Sequence, residues 1–258
     1  MKTGFADLPG ALVSRLARRG ALAVFLVTLF LPGLALAQQI NLNLGEGGTF
    51  TGRMVQLLLL MTVLSLAPGI LVVMTSFTRM IVVLSLLRSA LGTQQTPPNV
   101  VLISLALFLT AFVMTPTFEK SYNDGIAPLI SEKIEQKEAI DKAIKPFHDF
   151  MMKNVRPRDL GLFINLSGQA KPATPDATPL QVLVPAFMIS ELRRAFEIGF
   201  LLYLPFIIID LVVSSILMSM GMMMLPPVMI SLPFKLIFFV LVDGWGLVAG
   251  SLVRSFTG

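Results

Sequence analysis

Between residues 204 and 242 only Asp210 and Lys235 carry charge, and residues 54–91 hold only Arg79 and Arg88. At 1.5 Å per residue, about 38 residues make roughly 57 Å of helix, nearly twice the thickness of a bilayer core. Apolar runs of that length have to lie in a membrane or bury against other chains. Composition agrees: 55% of the 258 residues are hydrophobic and 14% charged, where a soluble domain has about 25% charged residues. No stretch alternates apolar and polar residues as a half-buried strand would, so the expected fold is all-α.

The same composition removes several kinds of chemistry. With no cysteine, disulfides, thiolate nucleophiles and Cys-ligated zinc are excluded, and the one histidine, His148, leaves few metal ligands or acid/base partners. No cofactor is implied. The formal charge of +5 suggests a nucleic-acid binder until the charges are located. Lys2, Arg15, Arg18 and Arg19 against Asp7 place +3 in the first 37 residues, leaving +2 for the rest. A phosphate-tracking surface is not expected from that remainder.

Residues 1–37 read as a cleavable signal peptide. Arg15, Arg18 and Arg19 precede an apolar run, residues 21–36, that ends in Ala35-Leu36-Ala37 before Gln38. The run is short for a span and Pro32 interrupts it. Cleavage there leaves an exported N-terminus, with residues 38–53 as a polar, Gly-rich lead-in.

Residues 54–115 are expected to form a first apolar helical hairpin. Pro68-Gly69 is the strong breaker of the first arm, so a bend there or a helix projecting past the membrane is required. The uncharged turn 92–99, with Pro97-Pro98, reverses the chain, and the returning helix is expected to stop near Pro116. Residues 116–180 form a charged, water-facing insert on the exported side. Ile126, Ile130, Ile134, Ile140, Ile144 and Phe147 suggest one apolar stripe on a helix, with Glu138–Lys142 and Asp141–Lys145 as i,i+4 pairs on its solvated face. Pro146 breaks or kinks that helix, and residues 167–179 read as a mobile linker. Residues 181–258 make a second apolar hairpin, reversed at residues 219–227 by Gly221 and Pro226-Pro227.

Four features of these segments can carry function. Asp210 and Lys235 stand 13 and 12 residues from Met223, the middle of the turn, so an antiparallel hairpin puts them at one depth. Either alone would cost roughly 2.5 to 3.5 kcal/mol at a bilayer centre, and opposite charges at one level compensate each other. Such a pair fixes register or serves gating or ion passage, within one subunit or between two. Asp210 and Asp243 raise the idea of a membrane aspartyl protease, but Asp243 lies 20 residues from Met223. The axial offset of roughly 10 Å prevents a shared proton within one chain.

Met218, Met220, Met222, Met223, Met224 and Met229 crowd one turn. They are either ordinary packing between helices or, if several copies converge on an axis, a deformable apolar plug. Gly246 and Gly250 make a small-xxx-small pattern, which permits close helix approach. Residues 191–197 pack Glu191, Arg193, Arg194 and Glu197 closely together, as a solvated helix end or an inter-subunit contact.

Longer strings of residues then point to a family. Ser76-Phe77-Thr78-Arg79-Met80-Ile81-Val82-Val83-Leu84-Ser85, Ala90-Leu91-Gly92-Thr93-Gln94-Gln95 and Pro97-Pro98-Asn99 resemble the FliP family of flagellar export-gate proteins. So do Pro185-Ala186-Phe187-Met188-Ile189-Ser190-Glu191-Leu192, Ala195-Phe196-Glu197-Ile198-Gly199-Phe200 and Met222-Met223-Met224-Leu225-Pro226-Pro227. The resemblance covers roughly residues 54–256 and extends to relatives in virulence-type secretion systems.

It implies a non-enzymatic pore component of the type III export gate, passing unfolded flagellar substrates across the bacterial inner membrane. Several copies, five in the family's usual assembly, would join FliQ and FliR in a helical complex to which FlhB attaches, with FliO helping assembly. Met222, Met223 and Met224 would correspond to the gate against leakage. Asp210, Lys235 and Glu191, with Phe150 and Phe163 in the insert, would fall on positions important for function or assembly.

The resemblance also bears on topology. Four spans and an exported N-terminus would put turns 92–99 and 219–227 in the cytoplasm, yet neither contains Lys or Arg. A complex whose apolar helices bury against other subunits, standing partly above the bilayer, fits that lack. A polytopic transporter coupling ion flow to a small solute through Asp210 and Lys235 is the alternative.

Overall fold

The computed structural model describes residues 50–168, 172–222 and 224–257. The signal segment 1–37, most of the lead-in 38–53, and Met223 lie outside the described residues. The described residues are helical, with no strand among them: α1 (Phe50–Val73), α2 (Phe77–Leu91), α3 (Asn99–Ser121), a π turn (Tyr122–Ile126), α4 (Ala127–Ile130), α5 (Gln136–Asn154), α6 (Pro157–Ser167), a 3-10 turn (Pro175–Ala177), α7 (Leu180–Ser219), α8 (Pro227–Leu241) and α9 (Gly244–Thr257).

Helix α2 is the structural centre of residues 60–258. Met80, Val83, Leu84, Leu87 and Leu91 recur at three and four residues, so one stripe of the helix is apolar and fully covered. Around it pack Leu102, Ala106 and Val113 of α3, Ala195 and Phe206 of α7, Phe239 of α8, and Val248, Leu252 and Phe256 of α9. The approach of α7 is so close that a Cβ on Gly199 would clash with the Leu86 side chain. A second cluster, Met74, Met114, Phe147, Met151, Leu183, Ala186 and Phe187, joins the insert to α3 and α7.

The expected bend at Pro68-Gly69 does not occur, because α1 runs through both residues to Val73. The break comes at residues 74–76. There the Thr75 hydroxyl donates to the Val72 carbonyl (3.1 Å) and accepts the Phe77 amide (3.4 Å), replacing helical hydrogen bonds with its own. At the next reversal Gly92 ends α2 with φ of 78°, and its amide donates to the Ser89 carbonyl. Arg88 then ties the turn to the start of α3 through the Asn99 side chain (2.6 Å) and the Pro97 carbonyl (3.2 Å).

Helix α3 does not stop near Pro116 but continues to Ser121 and passes into the π turn. Pro116 removes one backbone donor, and the Thr115 hydroxyl adds a bond to the Ala111 carbonyl (2.8 Å) beside the gap. The wide π turn sets Gly125 against α5 so tightly that a Cβ would meet Ala143 Cβ and N at 2.7 Å and the Ala139 carbonyl at 2.8 Å. The expected apolar stripe holds only in part: Phe147 is buried and Ile134 and Ile144 are half-buried, but Ile126, Ile130 and Ile140 are exposed, and Ala139 and Met151 are buried in their stead. Small residues let the backbones approach, which a row of isoleucines would prevent. Helix α5 also runs unbroken through Pro146. Glu138 and Lys142 form the i,i+4 pair at 2.8 Å, whereas Lys145 lies 4.0 Å from Asp176.

Helix α7, with 40 residues, extends about 60 Å and carries Pro185 and Pro205 inside it. The returning arm is not one helix: α8 ends at Leu241, and α9 sets off at 62° to it. Asp243, with φ of 50°, makes the corner. Its carboxylate lies where a Cβ of Gly246 would stand, so that glycine gives the corner its room. By length and composition, residues Asn99–Ile130 and Leu180–Ser219 can cross a membrane, as can the bent pair α8 and α9 if it acts as one span.

Candidate functional site

Two ion pairs hold charges inside this apolar framework. The first begins on α2, where Arg79 shares a helix with the apolar stripe and is 1% exposed. Its Nε donates to Oε2 of Glu191 (2.8 Å) and its Nη2 to Oε1 of the same carboxylate. Nη1 donates to the Ser255 carbonyl (3.1 Å) and hydroxyl (2.8 Å), and the guanidinium lies 3.6 Å above the Phe256 ring. Four of the five N–H donors are thereby used, two of them matching both carboxylate oxygens, while the guanidinium face rests on an aromatic ring. Glu191 is fully buried on α7, which corrects the reading of residues 191–197 as a solvated helix end. Only the later part is exposed, where Arg193 meets Glu197 at 3.3 Å.

The second pair lies on the α7–α8 hairpin. Lys235 Nζ stands 2.7 Å from Oδ2 of Asp210 and 3.3 Å from the Ala90 carbonyl near the end of α2. Ser231, one turn before Lys235, donates to Oδ1 of Asp210 at 2.6 Å. Both oxygens of the carboxylate are thus held from one face of α8. Asp243 is placed at the α8–α9 corner, its carboxylate against Gly246. Two carboxylates sharing one proton are not formed by these positions.

Beyond the pair, the hairpin closes on methionine. The Met220 amide donates to the Ile216 carbonyl (3.1 Å), the Met222 amide to the Leu217 carbonyl (3.0 Å), and Gly221 takes φ of 75°. Met218, Met220, Met222 and Met229 are exposed, and Met224 is 99% exposed. Between the arms runs an open cleft of about 520 Å³ without polar lining, bounded by Ile208, Val212, Ile216, Met220, Met222 and Phe234. Met220 and Met222 border this cleft, while Met224 is free of cover from this chain.

The insert reaches the first ion pair through an aromatic chain. Phe150 of α5 meets Phe187 edge-on and stacks on Phe256, both at 5.9 Å between ring centres. Phe163 of α6 packs partly buried on the second core cluster. Glu191, Phe150 and Arg79 therefore belong to one connected region, while Phe163 lies beside it.

Sequence reasoning missed three participants. Arg79 stands out in the sequence as one of two charges in an apolar run, which signals a buried partner but does not say which residue that is. Ser231 carried no signal beyond its position one helical turn from Lys235. Ser190 gave none: its buried hydroxyl lies 2.8 Å from Asp159 Oδ2 and accepts the Arg156 amide at 3.1 Å, fastening α6 to α7.

The profile of the FliP family matches residues 60–252. The chain is 59% identical to flagellar biosynthetic protein FliP of Caulobacter vibrioides, an alignment covering 98% of this chain and 96% of that protein. It is 57% identical to FliP of Bacillus subtilis, over 78% of this chain and 91% of the relative. With FliP of Aquifex aeolicus the identity is 51%, over 84% and 91%. Matches of this length, across the helices that carry both ion pairs and the methionine turn, show that the chain belongs to the FliP family of flagellar biosynthetic proteins, components of type III protein export.

Proposed function

We propose that the chain is a core pore-forming component of the flagellar export gate, through which unfolded substrates cross the inner membrane without chemistry performed by this subunit. Residues 1–37 are removed on export, and copies of the mature chain, five in the family's usual assembly, surround one axis. FliQ, FliR and FlhB are the partners in the complex, and FliO acts in its assembly. Met222, Met223 and Met224 line the axis as a compliant seal. Glu191, Phe150 and Phe163 hold the subunit in shape for its neighbours.

The observation that carries this reading is the contrast along the α7–α8 hairpin. Its base is fixed by Lys235, Asp210 and Ser231, while its tip offers exposed thioethers to whatever stands opposite. Flexible apolar side chains exclude water and ions when pressed together, yet give way to a passing polypeptide.

Purification of the tagged chain from membranes in mild detergent, followed by mass measurement and imaging of the particle, tests this. A multi-subunit complex containing FliQ-like and FliR-like chains, with residues 219–227 around a central axis, is the expected result. A solitary monomer or dimer that binds a small solute would replace the gate by an ion-coupled transporter.

A further inference from the structure

The buried residues of α8 are Ser231, Lys235 and Phe239, spaced four apart on one face. On a helix otherwise exposed and strongly apolar, two of these three positions are polar. Phe239 packs near Phe206 of α7, which accounts for the third. Ser231 is 0% exposed, and its single proton has a carboxylate oxygen at 2.6 Å and the Val228 carbonyl, within its own helix, at 3.2 Å. The shorter, charge-assisted contact to Asp210 is the stronger acceptor.

We infer that Ser231 is a positioning residue of the export gate. Its hydroxyl fixes Oδ1 of Asp210 so that Oδ2 faces Lys235, whose ammonium is in turn anchored on the Ala90 carbonyl. The inference rests on the gate reading above. With Ser231 in place, the carboxylate cannot rotate about its last torsion without losing one of its two donors. The pair therefore has a single orientation, and the hairpin has a single register against α2. The end of α2 is a fitting anchor: its last carbonyls carry partial negative charge, and a cation there is favourable. Past this anchor, residues 211–230 are mostly exposed and straddle the open apolar cleft. Loss of the anchor's geometry is thus transmitted to the methionine turn without crossing any packed core.

The test uses the whole complex and two readouts. Amide exchange across residues 211–241 reports the hairpin's register, and ion conductance in potassium chloride without export substrate reports the gate. Ser231→Ala is expected to accelerate exchange in that segment by about tenfold, the scale of one charge-assisted hydrogen bond. Ser231→Cys keeps the volume but is a weak donor, so it should behave as alanine does. If Ser231 acts through Asp210, Ser231→Ala should add less than about twofold in a background carrying Asp210→Leu and Lys235→Met, where apolar residues replace the pair. Wild-type exchange in Ser231→Cys would reduce Ser231 to a space-filling residue and overturn the inference. So would an undiminished tenfold effect in the charge-free background. If exchange follows the expected pattern and conductance does not rise, the positioning role stands and the gate reading fails.

Discussion

Arg79 and Glu191 are separated by 112 positions in the chain, and only the seating of α2 on α7 brings them together. Removing either leaves an uncompensated buried charge, typically costing 3 to about 5 kcal/mol. Glu191→Ala and Arg79→Ala should each lower the thermal stability of the detergent-solubilised complex, while Arg79→Met combined with Glu191→Leu should recover most of the loss. Stability of the double variant no better than either alanine variant would mean that the pair is not the unit that matters. Asp210 and Lys235 pose a different case, because their environment is asymmetric. Exchanging them would set a carboxylate against the Ala90 carbonyl and an ammonium against the Ser231 hydroxyl. Asp210→Lys with Lys235→Asp should therefore restore only part of the assembly lost in either alanine variant, as measured by the yield of intact complex. Full restoration would show that Ala90 and Ser231 contribute nothing to the site. These pairs also differ in how they could be read. Counting from the turn puts Asp210 and Lys235 at one level, since both helices share that turn. No local count relates Arg79 to Glu191, and Ser231 becomes informative only once the face of α8 that turns inward is known.

At the scale of elements, hydropathy marks the helices and the Gly and Pro residues at 92–99 and 219–227 mark the reversals, whereas prolines inside the helices mark no break. The long apolar runs are helices, but Pro116, Pro185, Pro205 and Pro233 lie within them, as Pro146 lies within α5 of the insert. A proline removes one donor and crowds one carbonyl, a local loss that neighbouring side chains and apolar packing offset in such helices. Further breaks arise at residues 74–76, where a threonine hydroxyl supplies replacement bonds, and at Asp243, where the backbone takes positive φ. Neither has a distinctive one-dimensional mark. The isoleucines of the insert are left partly uncovered for a related reason: its packing depends on the small size of Gly125, Ala139 and Ala143, and periodicity counts only the large apolar residues. Gly125→Ala should consequently push α5 away from the π turn and destabilise it by about 1 to 3 kcal/mol, the usual scale of overpacking. Amide exchange in residues 136–154 should rise, with little change in α2. Ala143→Gly should relieve it only partly, since the clash also involves the Ala143 backbone and the Ala139 carbonyl. Unchanged exchange in Gly125→Ala would show that the turn yields freely.

At the scale of the whole molecule, the decisive fact is how much large apolar surface is left uncovered. Phe196, Phe200, Leu201, Ile208 and Leu211 on α7 and Phe234, Ile237 and Val240 on α8 are all exposed, far more than a soluble monomer tolerates. Lipid or other subunits have to cover them, and this gives the export-gate proposal its physical necessity for an assembly or a bilayer. The route to that site is testable at the N-terminus: intact-mass measurement of the purified protein should find a chain beginning at Gln38, and a chain retaining residues 1–37 would remove the signal-peptide reading. A methionine seal requires copies brought together, because the exposed methionines of one chain stand at the tip of a single hairpin. If thioethers from several hairpin tips press together on an axis, shortening them opens the closed state without touching the pair that holds each hairpin. Met222→Ala, Met223→Ala and Met224→Ala combined should leave the complex intact and raise substrate-free ion conductance. The corresponding leucine variant keeps the apolar volume but has a branched, stiffer side chain, so it should hold back ions while slowing the export of bulky segments. The ordering of leakage and export across the three proteins separates a seal from packing, since a packing role would have leucine match wild type in both and alanine disturb assembly first. An alanine variant that assembles normally and conducts no more than wild type would take the gate away from these methionines and leave the narrowest point of the path to another subunit.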